Sequence, residues 1–301
     1  METKKVIIVI SIIISLVIIS SITVSNPLLV DRAFYRMGFQ EQICFVNYDD
    51  EFQSDNVTNI VAVGDFGINE NSIKTLKNIQ LNNPEIILIP GDIGQSTVKD
   101  WIELSQFMMN DNMYIALGDS DLVEGNDYLK HFGLSNDYYS FDYENIHFLA
   151  ISTNQESHTE FGIYSDNVQL DFIRTDLSGA ADNPEIDWII VFMHHPMYTS
   201  SSNSFSMDLR DTLQPIFDRH GVNLVINGHT HAYERTNPVM FNDIITDNVD
   251  CLYEYPDGQI YLTVGTGGHS HSKFKQKQSW SIIQNDNDYG FINIRIVNDG
   301  K

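Results

Sequence analysis

Short apolar runs recur along the chain from Val57 onward, and most of them end in a cluster of Gly, Asp or His. Five of these runs are continuous rather than alternating, a pattern typical of strands that are buried on both faces of a sheet. They cover residues 60–63, 86–89, 114–117, 188–192 and 224–226. The stretches between them predict helices that cover the sheet, over residues 69–82, 97–110, 165–178 and 208–219.

Four further stretches alternate between apolar and polar residues or resemble hairpins, which indicates a mixed sheet. They are residues 138–143, 146–152, 260–264 and 291–297. No repeat or low-complexity segment interrupts the pattern. The sequence therefore predicts one α/β domain over residues 57–301, preceded by a polar lead-in with several aromatic residues over 26–56.

The N-terminal segment has a different character. Lys4 and Lys5 precede an uncharged run of 19 residues, 6–24, made almost entirely of Ile, Val, Leu and Ser. Such a run predicts either a cleaved secretion signal or a retained membrane anchor over residues 1–25, with a buried core helix or strand as the less favoured alternative. The run is close to the roughly 20 residues that span a bilayer, whereas Thr23–Ser25 offers a cleavage site. Either form predicts an extracytoplasmic protein, secreted or membrane-anchored.

The composition excludes some classes of partner. The 301 residues include 17 Lys and Arg against 41 Asp and Glu, for a formal net charge of -24. A hydrophobic content of 42% with 19% charged residues describes a globular protein rather than a disordered acidic chain. The charge argues against nucleic acid or an anionic lipid surface as a general partner. It does not argue against a small phosphorylated substrate, because bound metal ions can reverse the local charge.

The chain has two cysteines, Cys44 and Cys251. Export would permit a disulfide between them, and two unpaired thiols are equally compatible with the sequence. Neither has a Cys or His nearby at the spacing of a zinc site. The cysteines are therefore not predicted to bind metal.

All five continuous apolar runs deliver an Asp or a His at the C-terminal end, where open α/β folds place their ligand sites. One Asp after a Gly is usually a turn or a helix cap, and one His on an apolar strand is usually a core residue. Five such ends in one chain are hard to explain as turns alone. Carboxylate oxygens and imidazole nitrogens are ligands for Zn, Mn and Fe, and two such ions about 3.5–4 Å apart can hold a phosphoryl group for in-line attack.

These strand ends fall in the order and spacing of the calcineurin-like metallophosphoesterases, and the sequence resembles that family over about residues 57–298. The blocks that carry the resemblance are Asp65–Gly67, Gly91–Asp92, Gly118–Asp121, Val191–His194 and Gly228–His231. Three longer stretches resemble the purple acid phosphatase branch: Gly228–Thr236, Tyr139–Tyr143 and Tyr261–Gly268. The resemblance implies an α/β fold with mixed sheets, arranged as a four-layer α/β/β/α sandwich.

The resemblance also implies a dinuclear metal site. Its ligands would be Asp65 and His231 for the first ion, Asp92 for both ions, and Asp119, His194 and His229 for the second. In the family, a metal-bound or bridging hydroxide attacks phosphorus, because the cations lower the pKa of bound water.

Several features of the sequence depart from the family pattern. Gln95 stands where the purple branch has the Tyr whose phenolate colours ferric iron, and Asp119 stands where the family has Asn. The substrate histidines that the branch carries shortly after its metal-binding His have no counterpart in Thr199–Met207. The family set of two Asp and a phenolate brings three negative charges, and so do Asp65, Asp92 and Asp119. We infer two divalent ions (Mn, Zn or Fe) rather than a ferric-tyrosinate centre.

Ser120 stands where the family has its catalytic His. Because general-acid catalysis typically contributes about 10²–10⁴ in rate, a Ser predicts a weakened enzyme or one limited to good leaving groups. His195 and His269 are candidates to replace that His as substrate-binding residues, and His271 is a third. For all three, an ordinary histidine in a loop or behind the site is the favoured interpretation.

Together these features predict a metal-dependent hydrolase of phosphate esters, in the first instance phosphomonoesters. One alternative is a pseudoenzyme that has the same fold and binds the metals but does not catalyse hydrolysis. It would bind phosphate ligands or a partner at the cell surface. A second alternative is a phosphodiesterase or nucleotide hydrolase that uses the same site.

Overall fold

The computed structural model describes residues 6–14, 57–108, 112–153, 167–201, 207–240, 243–245, 252–254 and 257–298. The helices are α1 Glu70–Asn82, α2 Val98–Ser105, α3 Gly125–His131, α4 Asn167–Asp182 and α5 Met207–His220. The strands are β1 Val6–Ile14, β2 Val57–Ala62, β3 Ile86–Pro90, β4 Met113–Ala116, β5 Tyr139–Tyr143, β6 Ile146–Ile151, β7 Trp188–Met193, β8 Leu224–Asn227, β9 Tyr233–Thr236, β10 Val239–Met240, β11 Asp243–Ile244, β12 Leu252–Glu254, β13 Ile260–Val264, β14 Ser281–Asn285 and β15 Gly290–Asn298.

Two large mixed sheets form the centre of the domain. The six-stranded sheet has the order β12-β1-β15-β2-β3-β4, and the seven-stranded sheet has the order β14-β9-β13-β8-β7-β6-β5. Strands β2, β3 and β4 are parallel, as are β6, β7, β8 and β13, whereas the outer strands pair antiparallel. The predicted mixture of buried parallel strands and alternating antiparallel strands is confirmed.

The two sheets pack face to face, and helices cover their outer faces. In β2, Ile60 and Ala62 join the core between the sheets, whereas Val61 packs with the residues of α1 and α2. In β7, Phe192 joins the same central core and Val191 packs against α4 and α5. Both faces of these strands are apolar because successive side chains point to opposite sides of a sheet. The predicted four-layer α/β/β/α sandwich is confirmed.

The ends of the first two helices follow local capping rules. Asn69 begins α1, and its side chain accepts hydrogen bonds from the backbone N–H groups of Asn71 (2.8 Å) and Ser72 (3.2 Å). Its Nδ2 also donates to the carbonyl of Gly268 over 3.1 Å, which ties the start of α1 to the turn after β13. Helix α2 ends at Ser105, earlier than predicted. The Ser105 hydroxyl there bonds back to the Trp101 carbonyl, an interaction that weakens the interior of a helix.

The N-terminal apolar segment is a strand over residues 6–14. Strand β1 pairs antiparallel with β15 along its whole length, and with β12 over Ile7–Val9. The β-branched Ile and Val residues of this segment suit an extended backbone. A cleaved signal or a membrane anchor over residues 1–25 stays a prediction. Among the described residues, no helix has both the length and the apolarity to cross a bilayer. Residues 15–56, with Cys44, and residue 251 lie outside the described residues.

Candidate metal centre

The six predicted ligands meet where the two sheets come together. The carboxylates follow strands of the six-stranded sheet, and the histidines follow strands of the seven-stranded sheet. Asp65, Asp92 and Asp119 come after β2, β3 and β4, and His194, His229 and His231 come after β7 and β8. Parallel strands of one sheet end at the same edge, so each sheet gathers one kind of donor. Face-to-face packing then brings the two kinds together.

Three of these residues have a left-handed backbone. The φ angles are 59° at Asp65, 51° at Asp92 and 66° at His229. This region is uncommon for residues other than Gly, and Asp and His are among those that adopt it most readily. Such conformations cluster at functional sites because the surrounding structure must hold them in place. The sharp turns aim the three side chains across the sheet edge.

Two glycines leave room for the ligands to approach. A Cβ on Gly118 would lie 2.2 Å from Asp92 Oδ1, and a Cβ on Gly91 would lie 2.3 Å from His194 Nδ1. No real Cβ comes so near another heavy atom. Close packing around Asp92 and His194 therefore requires glycine at positions 91 and 118.

On the side of the second predicted ion, His194 lies close to three of the other predicted ligands. His194 Nε2 is 2.9 Å from Asp119 Oδ1 and 3.5 Å from Asp92 Oδ1. His229 Nδ1 is 3.3 Å from His194 Nε2 and 3.7 Å from Asp119 Oδ1. The other ring nitrogen of His194 donates to the carbonyl of Pro90 over 3.0 Å, which directs Nε2 toward the carboxylates.

The first predicted ion would lie beside a buried oxygen that lacks a hydrogen bond. Asp65 is fully buried, and its Oδ1 has no hydrogen-bond partner. The nearest charged neighbour of that oxygen is His231 Nε2, at 3.3 Å. The second oxygen of Asp65 accepts from the backbone N–H of His229 over 2.9 Å. An orphaned buried carboxylate oxygen is costly unless a cation satisfies it, so the residues present fit a metal site.

Burial and mutual contacts shift the pKa values of His194, Asp119 and Asp92. Burial alone would lower the pKa of His194, but its hydrogen bond to Asp119 and the charges of Asp92 and Asp65 outweigh it and raise the pKa to about 10. The bonds to His194 and His229 hold the pKa of Asp119 well below its usual range. Burial raises the pKa of Asp92. Without metal, protonated histidine is thus the counter-charge of the carboxylates.

Comparison with known proteins identifies the family to which the chain belongs. A family model described as calcineurin-like phosphoesterase matches residues 58–233, which is more than half of the chain. The chain belongs to the calcineurin-like phosphoesterase family. A second family model, described as iron/zinc purple acid phosphatase-like protein C, matches residues 258–301.

Relatives of this calcineurin-like phosphoesterase are purple acid phosphatases. Purple acid phosphatase 21 of Arabidopsis thaliana is 26% identical over 266 residues, covering 78% of this chain and 56% of the relative. Another Arabidopsis thaliana relative carries the name "Probable inactive purple acid phosphatase 1"; it is 30% identical over 171 residues, covering 53% of this chain and 26% of the relative. The chain spans little more than half the length of the first of these relatives and about a quarter of the second.

Solved structures share the fold. Purple acid phosphatase PPD1 from yellow lupin (Lupinus luteus) has a TM-score of 0.64 at 22% identity, covering 79% of this chain and 49% of that one. GAP50, described as the anchor in the inner membrane complex of Plasmodium, has a TM-score of 0.63 at 20% identity, covering 79% and 81%. At these identities the likeness concerns the fold.

Two of the residues that depart from the family pattern, Gln95 and Ser120, contact Asp92, the predicted bridging ligand. Gln95 Nε2 donates to Asp92 Oδ2 over 3.0 Å, and the Ser120 hydroxyl donates to the same oxygen over 2.9 Å. The backbone N–H of Ser120 donates to the other oxygen, Asp92 Oδ1, over 3.0 Å. Gln95 and Ser120 thus hold the orientation of Asp92. Ser120 is exposed, and it lies on the open side of the site.

Asp121 is a site residue for which the sequence predicts no role. It is buried, and its two oxygens accept from the backbone N–H groups of Ile93 (2.9 Å) and Gly118 (2.8 Å). It therefore ties the loop that carries Asp92 to the loop that carries Asp119. Burial, with the nearby charge of Asp92, raises the pKa of Asp121 to about 7. Its place in the Gly118–Asp121 block was the only sequence signal for this contact.

The three additional histidines occupy different places. His195 is half-buried beside the second predicted ion, with its ring centroid 4.5 Å from that of His229. Burial, followed by the charges of His194 and His229, lowers the pKa of His195 to about 3. His269 Nδ1 lies 3.0 Å from His231 Nδ1, beside the first predicted ion. His271 stacks on Tyr289 instead, with ring centroids 4.1 Å apart.

Proposed function

We propose that this protein is a metal-dependent hydrolase of phosphate monoesters that uses two divalent ions. The observation that carries the proposal is a pair of overlapping donor groups, with Asp119, His194 and His229 in one and Asp65, Asp92 and His194 in the other. His231 Nε2 lies 3.3 Å from the buried Oδ1 of Asp65. The ligand groups are Asp65, Asp92 and His231 for the first ion, and Asp92, Asp119, His194 and His229 for the second. This donor chemistry suits Zn, Mn or Fe.

Bound divalent ions would supply a water that loses its proton near neutral pH and positive charge to stabilise the phosphoryl oxygens. The protein residues hold that arrangement. Pro90 accepts from the ring of His194, and Ser270 contacts the ring of His231 through its carbonyl at 2.8 Å, so that each imidazole keeps its other nitrogen for the site. Asp121 keeps the Asp92 and Asp119 loops in register.

Ser120 limits which leaving groups the site can release, because it stands where the family pattern has a proton-donating His. Its hydroxyl is already engaged with Asp92, and a hydroxyl is a poor proton donor at neutral pH. Esters whose leaving oxygen needs no proton, such as aryl phosphates, are therefore the favoured substrates. His269 remains a candidate to contact the substrate from the side of the first ion.

A binding role without turnover is the second candidate, and the contact of Ser120 with Asp92 is the observation that favours it. In that case the site would still bind metals and inorganic phosphate. A phosphodiesterase or nucleotide hydrolase would use the same metal ligands with a different pocket. Assays with different substrates distinguish monoester hydrolysis from these two alternatives.

The experiment compares three substrates after the metals have been measured. Protein purified from its own host is analysed for Zn, Mn and Fe, then assayed with phenyl phosphate, its diester and ATP. We expect turnover of the monoester, its loss in His231→Ala, and no change in His131→Ala, where an exposed histidine on α3 is removed. Two bound ions with no turnover of any substrate would favour the binding role. Faster turnover of the diester or ATP would favour the third possibility.

We further propose that the protein acts outside the cytoplasm, secreted or anchored by its N-terminal segment. The support is the apolar run behind Lys4 and Lys5. Cell fractionation with N-terminal sequencing tests it. A mature protein that begins near Asn26 in the medium indicates a cleaved signal, and an intact N-terminus in the membrane fraction indicates an anchor. An intact N-terminus in the cytoplasmic fraction contradicts both.

A further inference from the structure

His195 lies in the same donor group as the predicted ligands of the second ion. One side-chain donor atom from each of Asp119, His194, His195 and His229 lies within 4.8 Å of those of the other three. His195 directly follows His194 at the end of β7, and their rings stand nearly perpendicular, with centroids 5.0 Å apart. The distances are those of groups able to share one cation.

The ring of His195 is held by groups outside the site. Thr153, at the end of β6, contacts His195 Nδ1 through its Oγ1 at 2.9 Å and accepts from the His195 backbone N–H over 3.1 Å. Asn227 donates to the His195 carbonyl over 3.1 Å. In the tautomer in which Nδ1–H donates to this hydroxyl, the lone pair of His195 is on Nε2. Such an outer partner is what fixes the tautomer of a metal-ligating histidine.

We infer that His195 is an additional ligand of the second ion, bound through Nε2, an assignment that rests on the proposed dinuclear site. The second position would then combine three imidazoles with Asp92 and Asp119, whereas the first has one imidazole with Asp65 and Asp92. Imidazole favours Zn, Cu, Fe and Ni, whereas carboxylate suits Mg, Ca and Mn. The two positions therefore differ in preference: the second selects zinc, and the first admits manganese more readily.

This role differs from the substrate contact that the sequence predicts for His195. A substrate contact would change the binding of phosphate and leave the metals in place. A ligand would change the affinity for the second ion whether or not phosphate is present. The two roles are therefore separable without any measurement of turnover.

The test is zinc binding to metal-free protein, measured by competition with a chromophoric chelator. Removal of outer partners typically lowers metal affinity by about 10–100-fold, so His195→Ala should weaken the second zinc ion by at least about that much. Thr153→Val should have a smaller effect in the same direction. X-ray absorption of the zinc-loaded protein should show one imidazole fewer in the variant. His131→Ala is the control, and His195→Gln replaces His195→Ala if circular dichroism shows that the latter is unfolded.

The outcomes distinguish this assignment from the proposed function. Unchanged zinc affinity in His195→Ala and His195→Gln, with weaker binding of inorganic phosphate, overturns the assignment and restores the substrate contact. If the unmodified protein binds two zinc ions and hydrolyses nothing, while His195→Ala weakens the second ion, the proposed function fails and the assignment stands. An unmodified protein that binds no zinc overturns both.

Discussion

Gln95 donates a hydrogen bond from Nε2 to Asp92 Oδ2 over 3.0 Å. The Ser120 hydroxyl donates to the same oxygen, so the two residues that replace the family's Tyr and His converge on one atom. A carboxylate oxygen has two lone-pair positions, and both are taken at Oδ2. The other oxygen, Asp92 Oδ1, accepts from the backbone N–H of Ser120 over 3.0 Å. The family pattern has residues at these two positions that act on the metal or the substrate. Here Gln95 and Ser120 instead hold the side chain of Asp92, the predicted bridging ligand.

Gln95→Tyr should restore a coloured iron centre. A phenolate at this position can reach the first ion, whereas the amide of Gln95 is directed at Asp92. We expect a visible absorption band in the iron-loaded variant and none in the iron-loaded parent protein. Gln95→Phe, which has the ring without the oxygen, is the matched control. A strong band in the parent protein would refute the assignment of two divalent ions.

Ser120→His should raise turnover in proportion to how poor the leaving group is. A positioned general acid typically contributes about 10²–10⁴ in rate, and an alkyl phosphate needs it more than an aryl phosphate does. We expect kcat for an alkyl phosphate to rise at least tenfold and kcat for p-nitrophenyl phosphate to change little. Ser120→Ala serves as the control for loss of the bond to Asp92. Equal effects on the two substrates would point to repositioned metal instead of a new proton donor.

Two Gly→Ala variants should have opposite effects. At Gly118 the new Cβ would lie 2.2 Å from Asp92 Oδ1 and 2.9 Å from the His194 ring, so Asp92 must move. We expect loss of the second metal ion and destabilisation of about 1–3 kcal/mol. At Gly179, inside α4, the new Cβ meets nothing within 4 Å, and Ala should stabilise the protein by about 0.4–1 kcal/mol. Metal analysis and urea unfolding measure both; retained metal in Gly118→Ala would contradict the packing explanation.

A buried histidine away from the metal centre should make stability depend on pH. His147 Nδ1 lies 2.6 Å from Asp142 Oδ1, and its Nε2 lies 2.9 Å from Asp176 Oδ2, which links β5, β6 and α4. Burial lowers the pKa of His147, but the bonds to Asp176 and Asp142 outweigh it and the net shift is upward. The stabilisation is complete below the unfolded pKa of about 6.5, and it is lost as pH rises through the higher folded pKa.

His147→Gln should therefore reduce the free energy of unfolding more at pH 6 than at pH 9. Hydrogen bonds to charged groups contribute about 1.5–3 kcal/mol, which sets the expected loss at pH 6. Urea unfolding in the presence of a chelator removes any contribution of the metals, and His131→Gln controls for the loss of an exposed histidine. Equal losses at the two pH values would show that packing, not charge, is what His147 contributes.

Much of the site could be predicted because its ligands follow apolar strands in a regular way. Asp65, Asp92 and His194 each come directly after a strand whose pattern is clear, and strand ends in one sheet meet at one edge. The roles of Asp121 and Thr153 could not be predicted, since they depend on backbone N–H groups and a ring brought near by tertiary packing. Periodicity also does not distinguish an apolar helix from an apolar strand, so the conformation of Val6–Ile14 could not be predicted.

The separation of donor types between the sheets has a mechanical consequence. Carboxylates belong to one sheet and imidazoles to the other, so any ion that binds both would add a link between two layers whose shared core is apolar. Each bound cation would act as a removable cross-link, fastened at one end of the sandwich. A fluctuation that parts the sheets there would release metal before either sheet loses its own hydrogen bonds. Metal loss would then report the first opening of the domain.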